Sequence, residues 1–221
     1  MSEIVSIVGH GPNLLKNEYG QLIDSADFVV RQKRGCMQYV RLSPECFGTK
    51  THAIVGSFLI YNGLPEVKDA QYWIYTDSRL SDNQKVHTQE LTNIANYYKA
   101  NKRNIVIDKP LCDMWDDRYR QLAHKLCVPD SQCKMAYIQD EGEHYHPHTS
   151  SGFKAIIYTA HLLNPKLVRL FGYDSMQSGE WTWSVTRGPQ WAEYPNHAWK
   201  VERNLLDEVS KEYGVKFEFV G

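Results

Sequence analysis

A chain of 221 residues, 42% hydrophobic and 23% charged, has the size and composition of one α/β domain able to bury a real core. A formal net charge of −1 excludes a global electrostatic pull toward nucleic acid or membrane and leaves room only for a local patch. No apolar stretch approaches membrane-spanning length, Met1-Ser-Glu is not a signal peptide, and five cysteines (Cys36, Cys46, Cys112, Cys127, Cys133) lack metal-site spacing, so a cytoplasmic protein with reduced thiols is expected.

Ile4, Val5, Ile7 and Val8 form a β-branched run that breaks into Gly9-His10-Gly11-Pro12. Such a run reads as a buried parallel strand. The glycines let the chain turn sharply and approach a ligand closely. Pro12 presets the first turn of a following helix, whose free N–H groups and dipole favour a phosphate. In an open α/β sheet the ligand crevice lies at the carboxyl ends of the strands, so this strand is expected to lead to a nucleotide. A Gly-Pro turn can equally be structural, and the pattern G-x-G-x-x-G is not met, because Leu14 stands at its last position.

Asn13 to Asp24 reads as a short helix and turn, and Asp27 to Val30 as a second strand. The basic cluster Arg31 to Arg34 that follows either flanks the crevice or is a solvated loop. Gly48-Thr-Lys-Thr-His52 leads into a third strand, Ala53 to Val55, and Tyr72 to Tyr75 is a fourth. Lys85 to Lys102 has helical spacing, Ile105 to Ile107 reads as strand and Trp115 to Leu126 as helix. The alternation predicts a single Rossmann-like α/β domain over residues 1–221, with a mainly parallel sheet and helices on both faces.

Further on, His144, His146 and His148 stand in an acidic, polar stretch. Alternating histidines could bind a metal, but Pro147 interrupts the run and such a loop needs no metal to exist. Thr149, Ser150 and Ser151 with Gly152 precede an apolar helix, Phe153 to Leu163, which one of the hydroxyls is expected to cap. Hydroxyls and N–H groups at a helix start can also hold a phosphate or a ribose. Leu167 to Phe171 is another strand and ends in Gly172-Tyr173-Asp174 at the same sheet edge.

The ordered set VGHGPNL, DFVVR, GTKTH, HTSSGFKAIIYTAHLL and VRLFGYD, with His197-Ala-Trp-Lys-Val-Glu202 near the end, resembles the motifs of the sialyltransferase families. The first matches the glycine turn of the bacterial members. The next two match the long motif of the animal members, and Ser-Ser-Gly their short motif. The last matches their His-x4-Glu. The resemblance implies the sialyltransferase-type variant of the GT-A fold, a nucleotide-sugar donor, no cofactor, no required divalent metal, and displacement with inversion at the sugar carbon. It implies a donor site built from Gly9, His10, Gly11, Asn13, Arg31, Lys33, Thr149, Ser150, Ser151, Gly152 and Tyr173. His197 would be the general base, for which an imidazole has a suitable pKa. Glu202 would orient it or cap local backbone. Tyr194, Tyr173 and Arg187 would stabilise the leaving phosphate. The aromatic stretch at about 173–199, with Trp181, Trp183, Trp191 and Trp199, resembles a lid over donor and acceptor.

The departures concern charge. The donor-contacting asparagine of the family's first turn is His10 here, the serine of Gly-Pro-Ser is Asn13, and the asparagine after Arg-x is Lys33. Two neutral amides have become side chains able to carry positive charge, which suits a diphosphate such as a UDP-sugar better than the single phosphate of the family's CMP-sugar, so sialic acid is not carried over. The acceptor is expected to be a saccharide, or else a hydroxylated base in DNA, as for bacteriophage DNA glycosyltransferases, with Arg31 to Arg34 and Lys102-Arg103 on phosphates. A non-catalytic nucleotide-binding module and a metal hydrolase built on His144 to His148 are the remaining alternatives. Nothing in the sequence fixes the oligomeric state.

Overall fold

The computed structural model describes residues 3–32, 43–56, 70–75, 104–106, 108–126, 149–173 and 199–221. Within them seven strands form one sheet: β1 (Ile4–Val8), β2 (Phe28–Gln32), β3 (Ala53–Gly56), β4 (Tyr72–Tyr75), β5 (Asn104–Val106), β6 (Leu167–Phe171) and β7 (Lys216–Val220). Their order is β5-β4-β3-β2-β1-β6-β7, and every pairing is parallel. The chain therefore runs outward from β1 through β5, then returns to lay β6 on the other side of β1. That reversal makes the carboxyl ends of β1 and β6 the topological switch point, where open α/β sheets bind their ligands.

Both faces of the sheet are covered, which is why the strands read as near-continuous apolar runs. On one face Val5, Ile7, Val30, Val168 and Leu170 pack under α3 (Lys109–Lys125), α4 (Ser151–Leu163) and α5 (Trp199–Tyr213). On the other, Val8, Val29 and Phe171 pack with Leu14, Ile23 and Phe47, under the 3-10 turn Pro12–Lys16, α1 (Gly20–Asp24) and α2 (Pro44–Phe47). The largest core side chain, Trp115 of α3, is fully buried and meets Phe153 of α4 edge-on. Helix α4 is buried from Gly152 to Ala160, as expected of a helix that is apolar nearly all round.

The DFVVR and GTKTH stretches form a clamp between β2, α2 and β3. The Asp24 carboxylate accepts the Thr49 N–H at 2.8 Å, the Thr49 hydroxyl at 2.9 Å and the Lys50 N–H at 2.9 Å. Gly48 makes this turn with φ of 67°, and a Cβ there would lie 2.5 Å from Asp24 Oδ1. Fully buried, the Arg31 guanidinium donates to the carbonyls of Phe47 and Lys50 and to Thr51 Oγ1, at 2.7–3.0 Å. His52 Nδ1 accepts the Val29 N–H at 2.9 Å, and burial holds the imidazole's pKa below its ordinary value.

Several elements differ from the sequence reading, among them the short helix α2, which was not foreseen. Pro12 opens a five-residue 3-10 turn rather than an α-helix, so little dipole develops behind the first glycine turn. Helix α3 begins at Lys109, six residues before Trp115, because the Asp108 carboxylate caps it by accepting the Leu111 N–H at 2.9 Å. The edge strand β7 was not foreseen, although Phe217 and Phe219 alternate with Lys216 and Glu218 after Gly214. The expected Lys85 to Lys102 helix lies outside the described residues.

Candidate functional site

The switch point is built by two interlocked turns. Leaving β1, Gly9 donates its N–H to the Phe171 carbonyl at 2.8 Å, and Gly11 donates to the Gly172 carbonyl at 2.7 Å. A Cβ on Gly11 would lie 2.6 Å from the Gly172 oxygen and 2.7 Å from Asn13 Oδ1, so only glycine lets the two backbones approach this closely. Gly172 itself has φ of 70°. The next residue, Tyr173, lays its ring against Gly9, where a Cβ would meet Cε2 at 3.0 Å. Its hydroxyl donates to the Gly152 carbonyl at 3.1 Å. Gly152 in turn faces the Gln32 amide at the end of β2, its would-be Cβ 3.1 Å from Nε2. Gly9, Gly11, Gln32, Gly152 and Tyr173 therefore meet at one edge of the sheet, where β1, β2 and β6 end and α4 begins.

Helix α4 is fixed there by buried acids from two other helices. Ser150 caps it, its Oγ accepting the Phe153 N–H at 3.0 Å. The Glu202 carboxylate of α5, fully buried, accepts the Ser150 N–H at 2.5 Å and the Ser150 hydroxyl at 2.9 Å. Asp116 of α3 accepts the Thr149 N–H at 2.8 Å and the Thr149 hydroxyl at 2.6 Å, and pairs with the buried Lys154 ammonium at 3.2 Å. Burial pushes the Glu202 carboxyl up to about 7; the two bonds from Ser150 oppose that push, Asp116 adds to it and Lys154 opposes it.

These contacts sort the expected site residues. Gly9, Gly11, Gly152 and Tyr173 come together at the crevice, and the buried His10 lies in the same turn. Ser151, half-buried, starts α4 there. The hydroxyls of Thr149 and Ser150 are spent on Asp116 and Glu202, behind the helix start. Asn13 sits under the turn, its buried amide between Gly11 and Gly221. Arg31 points to the opposite face, into the clamp, because neighbouring strand residues face opposite ways and Gln32 takes the α4 side. Among the described residues Glu202 caps no backbone of its own helix: its carboxylate is taken up by Ser150, 52 residues away in sequence. Lys33, Arg187, Tyr194, His197, the histidines at 144–148 and all of the expected lid at about 173–199 but its two end residues lie outside the described residues.

Asp116, Lys154 and Gln32 were missed by sequence reasoning. A signal existed for the first: Asp116 stands on the buried stripe Cys112, Trp115, Tyr119, Ala123 of α3, and Glu202 likewise among Val201, Leu205, Leu206 and Val209 of α5. A charge on an apolar helix face must find a partner, and here both find the start of α4.

A scan of protein-family models finds no match, and a search of curated proteins finds none either. Solved structures do match. A mammalian sialyltransferase in complex with Gal-beta-1-3GalNAc-ortho-nitrophenol superposes with a TM-score of 0.57 at 16% identity, over 98% of this chain and 69% of that one. The sialyltransferase CstII from Campylobacter jejuni in complex with CMP-3FNeuAc gives 0.56 at 14% identity, over 99% of this chain and 80% of its own. The same enzyme with a trisaccharide acceptor and CMP gives 0.56 at 14%, over 98% and 80%. The seven-stranded parallel sheet with its β1–β6 switch point is thus a sialyltransferase-like fold.

Proposed function

We propose that this chain is a glycosyltransferase that moves a sugar from a nucleotide-activated donor, UDP- or CMP-linked, to an acceptor hydroxyl with inversion. The observation that carries this reading is the convergence of the Gly9–Gly11 turn, Tyr173 and the start of α4 at the switch point of a fold whose solved neighbours hold CMP and saccharides.

The donor's phosphate sits against the first turn of α4. There the N–H groups of Thr149, Ser150, Phe153 and Lys154 are taken, whereas those of Ser151 and Gly152 are in no intramolecular bond among the described residues. They offer an oxyanion two preorganised donors and the positive end of a thirteen-residue helix. Gly9 and Gly11 let the β1 turn lie directly against the Gly172 backbone and the Tyr173 ring, which fixes the wall of the crevice along which the nucleotide passes. His10 and Lys33 supply the positive charge that a diphosphate needs. Tyr194 and Arg187 help stabilise the leaving phosphate. His197, two residues before α5, removes the proton of the acceptor hydroxyl as that oxygen attacks the anomeric carbon and the nucleotide departs. The acceptor is a saccharide, the ligand class present in the neighbouring complexes.

The test is turnover. Incubation with CMP- and UDP-sugars and a panel of saccharide acceptors should release free nucleotide from one donor class, faster with acceptor present. His197→Ala should slow that release about 100- to 10,000-fold, the usual contribution of a positioned base. If no nucleotide sugar is bound or consumed, the reading is wrong.

A further inference from the structure

Behind the start of α4 the protein buries two carboxylates, Asp116 and Glu202, and one ammonium, Lys154. The ammonium pairs with Asp116. No cation among the described residues stands within ion-pair distance of Glu202, whose carboxylate holds Ser150 alone. Among the described residues, the charged groups that act on it are Asp116 from α3 and Lys154 from α4. With both acids ionised, the cluster therefore keeps, among the described residues, one uncompensated negative charge in a buried site against Ser150, the residue before Ser151 and Gly152.

We propose that Glu202 is a proton-linked positioning residue: it holds Ser150, and so the start of α4, in place, and a nucleotide anion bound in the crevice is taken up together with a proton on the Glu202–Ser150 pair. The inference rests on the nucleotide reading of the crevice. An anion on the far side of one helical turn adds a second negative charge across a low-dielectric gap, and like charges so placed favour protonation of the acid. The contacts tolerate that proton without moving. In the ionised state Ser150 donates both its N–H and its O–H to Glu202. When Glu202 Oε2 takes a proton from solvent, it becomes the donor to Ser150 Oγ, the N–H still donates to Oε1, and the Ser150 hydroxyl hydrogen stays on Oγ and rotates away from Glu202. Ser150 Oγ goes on accepting from Phe153, so the cap survives both states. A carboxyl already raised to about 7 by burial changes state readily at neutral pH.

Glu202→Gln separates charge from shape, because its amide reproduces the neutral acid: Oε1 accepts the Ser150 N–H and Nε2 donates to Ser150 Oγ. The experiment is calorimetric binding of CMP and of UDP to wild type and E202Q at pH 6, 7 and 8, in two buffers of different ionisation enthalpy. Wild type should take up more of a proton than E202Q near pH 7. Its affinity relative to E202Q should fall as pH rises above 7, by at most about tenfold per pH unit for a single linked proton. Titration of the nucleotide's own phosphate is common to both proteins and cancels in the ratio. Equal proton uptake by the two proteins, or weaker binding by E202Q at pH 8, overturns the inference while leaving the nucleotide site standing. If neither protein binds CMP or UDP at any pH, the nucleotide reading fails and carries this inference down with it. Should E202Q not fold, Ser150→Ala removes the hydroxyl's bond to either state of the acid, and the bond to the ionised state is the stronger, so the proton-uptake maximum should move to higher pH; an unmoved maximum contradicts the linkage.

Discussion

Two regions of this molecule carry motif residues of equal quality in the sequence, and they do opposite things with them. In the β2–β3 clamp, Asp24, Arg31 and His52 spend their polar side chains on the protein's own backbone, at 2.7–3.0 Å. At the β1–β6 edge the turns are tied by backbone bonds and glycine contacts, and the N–H groups of Ser151 and Gly152 are in no intramolecular bond among the described residues. A polar group satisfied from within builds the fold, whereas a donor left over at a rigid helix start is available to a ligand. The contrast explains why Arg31, which resembles a donor-site cation by its place in the sequence, is a structural residue.

Mutations on the two sides should separate stability from binding. The largest effect is expected in the clamp. Arg31→Met leaves the buried carbonyls of Phe47 and Lys50 without donors and should cost about 3 to 5 kcal/mol in denaturant unfolding, with unchanged nucleotide affinity in the fraction that folds. A stable variant that has lost nucleotide binding would break the comparison.

Glu202 should show its buried charge in the pH dependence of stability. Its carboxyl, ordinarily near 4.5, stands at about 7 in the fold, so the folded state holds the proton more tightly than the unfolded chain. Its stabilising contribution is complete below 4.5 and is lost as pH rises through 7. The interval from 4.5 to about 7 converts to about 3 kcal/mol. Across that range wild type should lose about this much stability relative to Glu202→Gln, as read by denaturant titration at each pH. A constant difference between the two proteins would contradict the buried, unpaired state of the acid.

Smaller effects sharpen the contrast. Gly11→Ala pushes a methyl group against backbone on the neighbouring turn and should cost about 1 to 3 kcal/mol together with nucleotide binding. Gly214→Ala, before β7, is its control. That glycine has φ of 67° but nothing within 4 Å of a Cβ, so about 1 kcal/mol of backbone strain is expected with binding untouched. Tyr173→Phe removes one bond to the Gly152 carbonyl and should cost about 1 kcal/mol in thermal unfolding.

Much of the fold could be read from the sequence because parallel strands buried on both faces leave short β-branched runs, as at Ile4–Val8 and Leu167–Phe171. Strand β7 escaped because it is a half-exposed edge, whose alternation over five residues is a weak signal. The glycines of the crevice were legible as a sharp turn after a buried strand, although a turn of that kind can equally be structural. The direction of a polar side chain was not. Thr149 and Ser150 read equally well as ligand contacts or caps until Asp116 and Glu202, distant in sequence, were seen to claim their hydroxyls.

The central claim is that the edge joining Gly9, Gly11, Tyr173 and the start of α4 binds a nucleotide. Thermal unfolding with CMP and with UDP tests it most directly, because a ligand at about 100 times its dissociation constant adds about 2.7 kcal/mol to stability. At least one of the two should raise the melting temperature of wild type and of Gly214→Ala alike, and leave that of Gly11→Ala unmoved. No rise with either nucleotide, or a full rise in Gly11→Ala, would contradict the account.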